Sequence, residues 1–156
     1  MRFTLDGGAR LDTEAEYSKN KKATSYVLVS LTLQSTQIAM FESAVVLVKT
    51  DSREMPISLA IPEMRVGYTE ESKDHRLTRT TGTQIPANEK MEGRRPDSSG
   101  ATRETTFSFR LDLPFPEPSN FIMTLPAIAI GDHRILIDAV RFNYGEHPRL
   151  VGLACS

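Results

Sequence analysis

The chain has 156 residues, with 19 lysines and arginines against 20 aspartates and glutamates, and a formal net charge of −1 at pH 7. This length favours one domain with a single core, residues 1–156. The balanced charge excludes a basic footprint for nucleic acid or a membrane surface, and no apolar run is long enough to span a bilayer. The single cysteine, Cys155, excludes an internal disulfide and a cysteine-based metal cluster.

The first residues of the chain contain no apolar stretch of the kind that a signal peptide needs. We therefore expect a cytoplasmic protein or the mature form of an exported one, and the sequence favours neither compartment.

The first strands are predicted at residues 2–5, 9–17 and 24–34, with a turn at Gly7-Gly8 between the first two. The third segment carries the strongest signal because its apolar residues alternate with less apolar ones, as in a sheet with one covered face. The residues that share the apolar face are Val27, Val29, Leu31 and Leu33.

Residues 38–49 fit two structures. Their apolar positions match a helical stripe, but a run of β-branched residues favours a buried strand at residues 43–49. Residues 56–62 form a short apolar run between two prolines, which predicts an edge strand because proline donates no ladder hydrogen bond. Residues 65–68 extend it.

Residues 69–104 differ from the rest of the chain. They carry many charges, several glycines and prolines, few apolar residues and no sustained period. This composition predicts a long flexible polar insertion, largely without regular structure, with at most a brief hairpin near residues 76–81. A loop of this length is typical of a functional segment or of a tolerated insertion, and the sequence does not separate the two.

Residues 105–114 predict the central strand of the fold. Their apolar residues alternate with polar ones, which indicates a strand with one wet face. A proline-rich corner follows, then a strand at residues 121–126 and a hairpin at residues 128–137 with Gly131 at the first position of its turn. The inward-facing residues of the central strand are Phe107, Phe109, Leu111 and Leu113.

The spacing of these segments predicts an all-β fold of about seven to nine short strands. An antiparallel β-sandwich, immunoglobulin-like in architecture, fits this pattern, and a small barrel is the alternative. The Cys…Trp…Cys spacing of antibody-type domains is absent, so the likeness is one of architecture and carries no function.

No constellation of residues in the sequence predicts catalysis, a metal site or a cofactor. Each histidine follows a carboxylate, but neighbouring residues of a strand point to opposite faces, so such a pair does not form one metal site. No Gly-x-Ser-x-Gly motif is present, and Cys155 has no basic neighbour that would lower the pKa of its thiol. The three histidines are His75, His133 and His147.

These observations favour a soluble, non-catalytic binding or structural module with a protein partner, acting through a sheet edge, turns or the polar segment at residues 69–104. Its candidate contact residues are four arginines in that segment. The alternative is a small hydrolase or carbohydrate-binding domain with an unrecognised site. The sequence indicates no oligomeric state. The four arginines are Arg76, Arg79, Arg94 and Arg95.

Overall fold

The computed structural model describes residues 1–17, 25–71, 76–94, 102–115, 120–144 and 149–150. These residues form antiparallel strands and one 3-10 turn, Asp6–Gly8, and no helix among them has the length and apolar character needed to cross a membrane. The strands in chain order are β1 (Arg2–Thr4), β2 (Arg10–Tyr17), β3 (Ser25–Leu33), β4 (Ile38–Phe41), β5 (Val45–Thr50), β6 (Ile57–Ala60), β7 (Met64–Glu71), β8 (Arg76–Ile85), β9 (Met91–Glu92), β10 (Thr102–Asp112), β11 (Phe121–Thr124), β12 (Ile128–Ile130), β13 (His133–Ile135), β14 (Val140–Phe142) and β15 (Arg149–Leu150).

The largest sheet has six strands in the order β1-β2-β3-β10-β7-β8. Its central strand β10 pairs with β3 on one side and β7 on the other, so Phe107 lies opposite both Leu31 and Val66. The predicted alternation along this strand is confirmed: Phe107 and Phe109 are each 4% exposed, whereas Arg110 is exposed. Alternate side chains of a strand point to opposite faces, and only one face of this sheet meets the core.

The two smaller sheets, with orders β15-β14-β11-β5-β6 and β13-β12-β4-β9, meet end to end. The consecutive strands β4 and β5 pair with β12 and β11, respectively. Across the junction, the backbone N–H of Glu42 donates to the carbonyl of Ala127 at 2.9 Å. The two sheets therefore form an interrupted ribbon. The structure has more strands than the seven to nine predicted, partly because of these interruptions and partly because of short strands such as β9.

Several local predictions for this ribbon are confirmed. The ambiguous segment is extended, with β4 at Ile38–Phe41 and β5 at Val45–Thr50. The proline-bracketed strand β6 lies at the edge of the five-stranded sheet. Gly131 links β12 to β13 with φ of 57°, a value that glycine adopts without a Cβ clash.

The buried side chains of all three sheets belong to one hydrophobic cluster. The ring of Phe41, from the four-stranded sheet, packs edge-on against Phe109 of the six-stranded sheet, with centroids 6.3 Å apart and an interplanar angle of 77°. Val48 and Met123 of the five-stranded sheet are each 0% exposed within the cluster. Burying a side chain of this kind stabilises a fold by about 1.5–3 kcal/mol, so the shared cluster holds the sheets together.

The prediction of a largely irregular segment at residues 69–104 is wrong for its described part. Strand β7 continues to Glu71, and β8 occupies ten residues, Arg76–Ile85. The sequence of β8 shows no period-2 pattern because nearly every side chain of this strand is exposed, and such a pattern arises where one face is buried. The threonines of β8 are β-branched and favour a strand even without burial.

Candidate functional site

The most unusual feature of the described fold is the exposed edge formed by β8. Within the described residues, β8 pairs with β7 alone and ends the six-stranded sheet. Residues 76–80 are all exposed. Such an edge presents unpaired backbone N–H and C=O groups to solvent, which is the template for adding another strand.

The two ends of β8 are held differently. Near its C-terminal end, Ile85 pairs with Met64, which is 0% exposed and belongs to the core. A register shift between Arg65 and Gly67 follows, where the hydroxyl of Thr81 donates to the carbonyl of Val66 at 2.8 Å. A bulge at an edge increases the local twist and interrupts the ladder. The uninterrupted stretch that faces solvent is therefore residues 76–80.

The predicted contact arginines are distributed over both faces of this stretch. Arg76 lies opposite Glu71, and Arg79 lies opposite Tyr68. Because these arginines are three residues apart in a strand, their side chains point to opposite faces. Both are exposed, and neither forms an ion pair within the part of the chain that the structure describes.

The structure brings Arg94 to the ring of Tyr68, the residue that lies opposite Arg79 in the ladder. The guanidinium carbon of Arg94 lies 4.1 Å from the ring centroid of Tyr68, in cation–π contact. The backbone N–H of Arg94 also donates to the hydroxyl of Thr105 at 3.0 Å. Tyr68 thus has Arg94 over its ring and Arg79 as its neighbour across the ladder. The fourth predicted residue, Arg95, lies outside the described residues.

A second polar cluster lies on the outer face of the six-stranded sheet. The guanidinium of Arg10 donates to both carboxylate oxygens of Glu104, at 3.2 and 2.7 Å, and the side-chain amide of Gln34 donates to the same carboxylate at 3.1 Å. Burial raises the pKa of Glu104, but the hydrogen bonds from Gln34 and Arg10 and the positive charges of Arg10 and Arg76 outweigh it and hold the pKa below its ordinary value. The cluster ties β2 to β10.

Two further carboxylates on that face are also paired with arginines. Asp12 pairs with Arg2 at 2.7 Å, and Asp112 pairs with Arg110 at 2.8 Å. The shallow depressions on this face are lined by arginines, small polar residues and carboxylates, among them Asp12, Glu14 and Glu104.

The histidines supply no site in the described residues. His133 is exposed in β13, whereas His75, His147 and Cys155 lie outside the described residues. Within the described ranges, no three histidine, cysteine, aspartate or glutamate side chains group closely enough to hold a metal ion.

Comparison with known proteins identifies no relative of this chain. No family model matches the chain, and no curated protein or solved structure shows significant similarity to it.

The sequence pointed to some residues of the exposed edge and missed others. Arg76, Arg79 and Arg94 were proposed as contact residues because they are basic and lie in a polar segment. The continuous strand that holds Arg76 and Arg79, with Leu77 and Thr78 between them, was not predicted. The available signal was the proline-free, threonine-rich run of β8, which has strand propensity without an apolar period.

Proposed function

We propose that this chain is a non-catalytic binding module that captures a protein partner by adding an extended segment of that partner to β8. The observation that supports it is the ten-residue edge strand with nearly all of its side chains exposed. In strand addition, main-chain hydrogen bonds supply affinity and alternate side chains supply specificity.

This function fits a fold in which the sheets pack face to face as a β-sandwich of immunoglobulin-like architecture. The shared core supports that arrangement, as does the end-to-end ribbon formed by the two smaller sheets. In such a sandwich the six-stranded sheet forms one layer, and β8 lies at its margin, where a partner strand extends the layer without disturbing the core.

The alternative function, a small hydrolase or carbohydrate-binding domain, needs a pocket with convergent polar groups. The nearest feature is the outer face of the six-stranded sheet, where Asp12, Glu104 and Asp112 are each paired with an arginine. This pairing favours the binding module over the enzyme.

Selection of random ten-residue peptides on the chain tests the proposal. For the selected peptides, we expect amide hydrogen exchange to slow at residues 76–80 when the peptide is bound, because new ladder hydrogen bonds protect these amides. Peptides that bind elsewhere, for example at the outer face near Ser30 and Ser108, would contradict the proposal, as would the absence of any binder.

Two proline variants provide a matched control. In an antiparallel ladder, adjacent residues direct their N–H groups alternately towards the neighbouring strand and away from it. Of Leu77→Pro and Thr78→Pro, one therefore removes a hydrogen bond to β7 and lowers the melting temperature. The other removes an outward-facing backbone donor, together with the exposed hydroxyl contact to Thr69 at 3.2 Å if it is the variant at position 78. We expect that variant to have the higher melting temperature of the two and to lose peptide binding.

A further inference from the structure

The charges around β8 indicate which kind of segment it binds. The strand carries two arginines and no acidic residue along its ten positions. Arg94 adds a third cation beside Tyr68, the residue opposite Arg79. Neither arginine of β8 forms an ion pair within the described residues. The positive charge of Arg76 already acts on Glu104, so Arg79 is the more available of the two to a carboxylate of an added strand.

Strand geometry fixes the spacing of those carboxylates. Residues directly opposite each other in paired strands share a face and lie about 4.5–5.5 Å apart at Cβ. Arg76 and Arg79 point to opposite faces, so their partners must be three residues apart to reach both. Leu77, which is 43% exposed, shares a face with Arg79 and offers an apolar contact between the two charged positions.

We infer that the partner segment is an extended acidic peptide that pairs antiparallel to β8, with two carboxylates three residues apart and an apolar residue between them. This inference rests on the proposed strand addition. In chain order the segment presents an acid opposite Arg79, any residue opposite Thr78, an apolar residue opposite Leu77 and an acid opposite Arg76.

The two arginines are not equivalent. Arg76 faces Glu71 across the ladder. The negative charge of Glu71 repels a second carboxylate that approaches Arg76. Arg79 faces the neutral Tyr68, beside which Arg94 lies. The contact with Arg79 therefore contributes more to affinity than the contact with Arg76.

The experiment uses the full chain and three synthetic peptides of eight residues. All have the same alternating valine and threonine background, and the two charged positions hold glutamate, glutamine or lysine. An exposed ion pair changes affinity by about 1.5- to 5-fold, so two pairs predict that the glutamate peptide binds about 2- to 25-fold more tightly than the glutamine peptide at low salt. This preference should shrink as salt is added, and the lysine peptide should bind most weakly.

Single substitutions of arginines test which residue causes the preference for the glutamate peptide. Arg79→Gln should weaken binding of the glutamate peptide more than Arg76→Gln, and neither should change binding of the glutamine peptide by more than about 1.5-fold. Arg110→Gln is the matched control, because Arg110 is an exposed arginine of the same sheet but lies on β10, away from the edge. Arg79→Glu should shift the preference towards the lysine peptide.

The outcomes separate this inference from the proposed function. Equal binding of the glutamate and glutamine peptides, with residues 76–80 protected from exchange in both complexes, overturns the acidic preference and leaves strand addition standing. Failure of all three peptides to protect these residues overturns strand addition itself. Self-association of the chain that the outward-facing proline variant abolishes overturns the inference, because the occupant is then a second copy.

Discussion

Gly93 offers the sharpest test of the described packing. A Cβ atom at this position would lie 2.1 Å from the carbonyl oxygen of Gln34, more than 1 Å closer than ordinary contact at 3.4 Å. The obstacle is backbone, which does not rotate away as a side chain does. The N–H of Gly93 also donates to the carbonyl of Gln37 at 2.8 Å, and this bond fixes the approach of the two segments.

The expected cost of Gly93→Ala follows from these contacts. Overpacking of this kind costs about 1–3 kcal/mol, and the weakened hydrogen bond to Gln37 adds about 0.5–1.5 kcal/mol. The lower entropy of the unfolded alanine variant offsets about 0.4–1 kcal/mol. We expect a net loss of about 2–3 kcal/mol, which lowers the melting temperature by roughly 4–12 °C for a chain of this size. Gln34 also donates to Glu104, so its displacement disturbs the polar cluster as well.

The matched control is Gly82→Ala, the same substitution in the bulge of β8. Nothing lies within 4 Å of a Cβ added at Gly82, and its φ is not in the positive region. Its free energy of unfolding should stay within about 1 kcal/mol of the wild-type value. Thermal and urea unfolding measure both variants. Equal melting temperatures would refute the close approach of Gly93 to Gln34.

The remaining predictions concern the core, the polar cluster and metal ions. Phe109→Ala should cost about 3–5 kcal/mol because the ring is buried. Arg110→Ala should cost about 2 kcal/mol or less, because it removes one exposed ion pair and one contact with the ring of Tyr26; equal losses in urea unfolding contradict the register of β10. The lowered pKa of Glu104 stabilises the fold at pH values above the unfolded pKa, and this contribution disappears as the pH falls through the folded pKa. The gap in unfolding free energy between wild type and Glu104→Gln should therefore be largest near neutral pH and close in acid; a gap independent of pH argues against the bond between Arg10 and Glu104. EDTA should leave the melting temperature unchanged, and a drop that Zn²⁺ reverses would point to a metal site.

The candidate site was only partly predictable from the sequence. The arginines of the polar segment could be named because charge is visible in the sequence. Their division between two faces, and the approach of Arg94 to the ring of Tyr68, depend on a strand that leaves no apolar period. The pairing of Arg10 with Glu104 joins residues 94 positions apart, and local pattern does not report such a contact.

Local sequence pattern was sufficient to identify the strands that have one buried face. In β3 and β10, alternation of apolar and polar residues sets both the extended structure and the face that enters the core, because a slip of one residue would expose every apolar side chain. Tertiary structure alone decided the order of the strands, the junction at Glu42 and Ala127, and the place of β8 at the margin. Those features arise from contacts between distant segments, where burial and backbone pairing outweigh local propensity. The exposed edge strand buries almost no side chains, so its sequence lacks the alternation of apolar residues by which the other strands of the sheet are recognised.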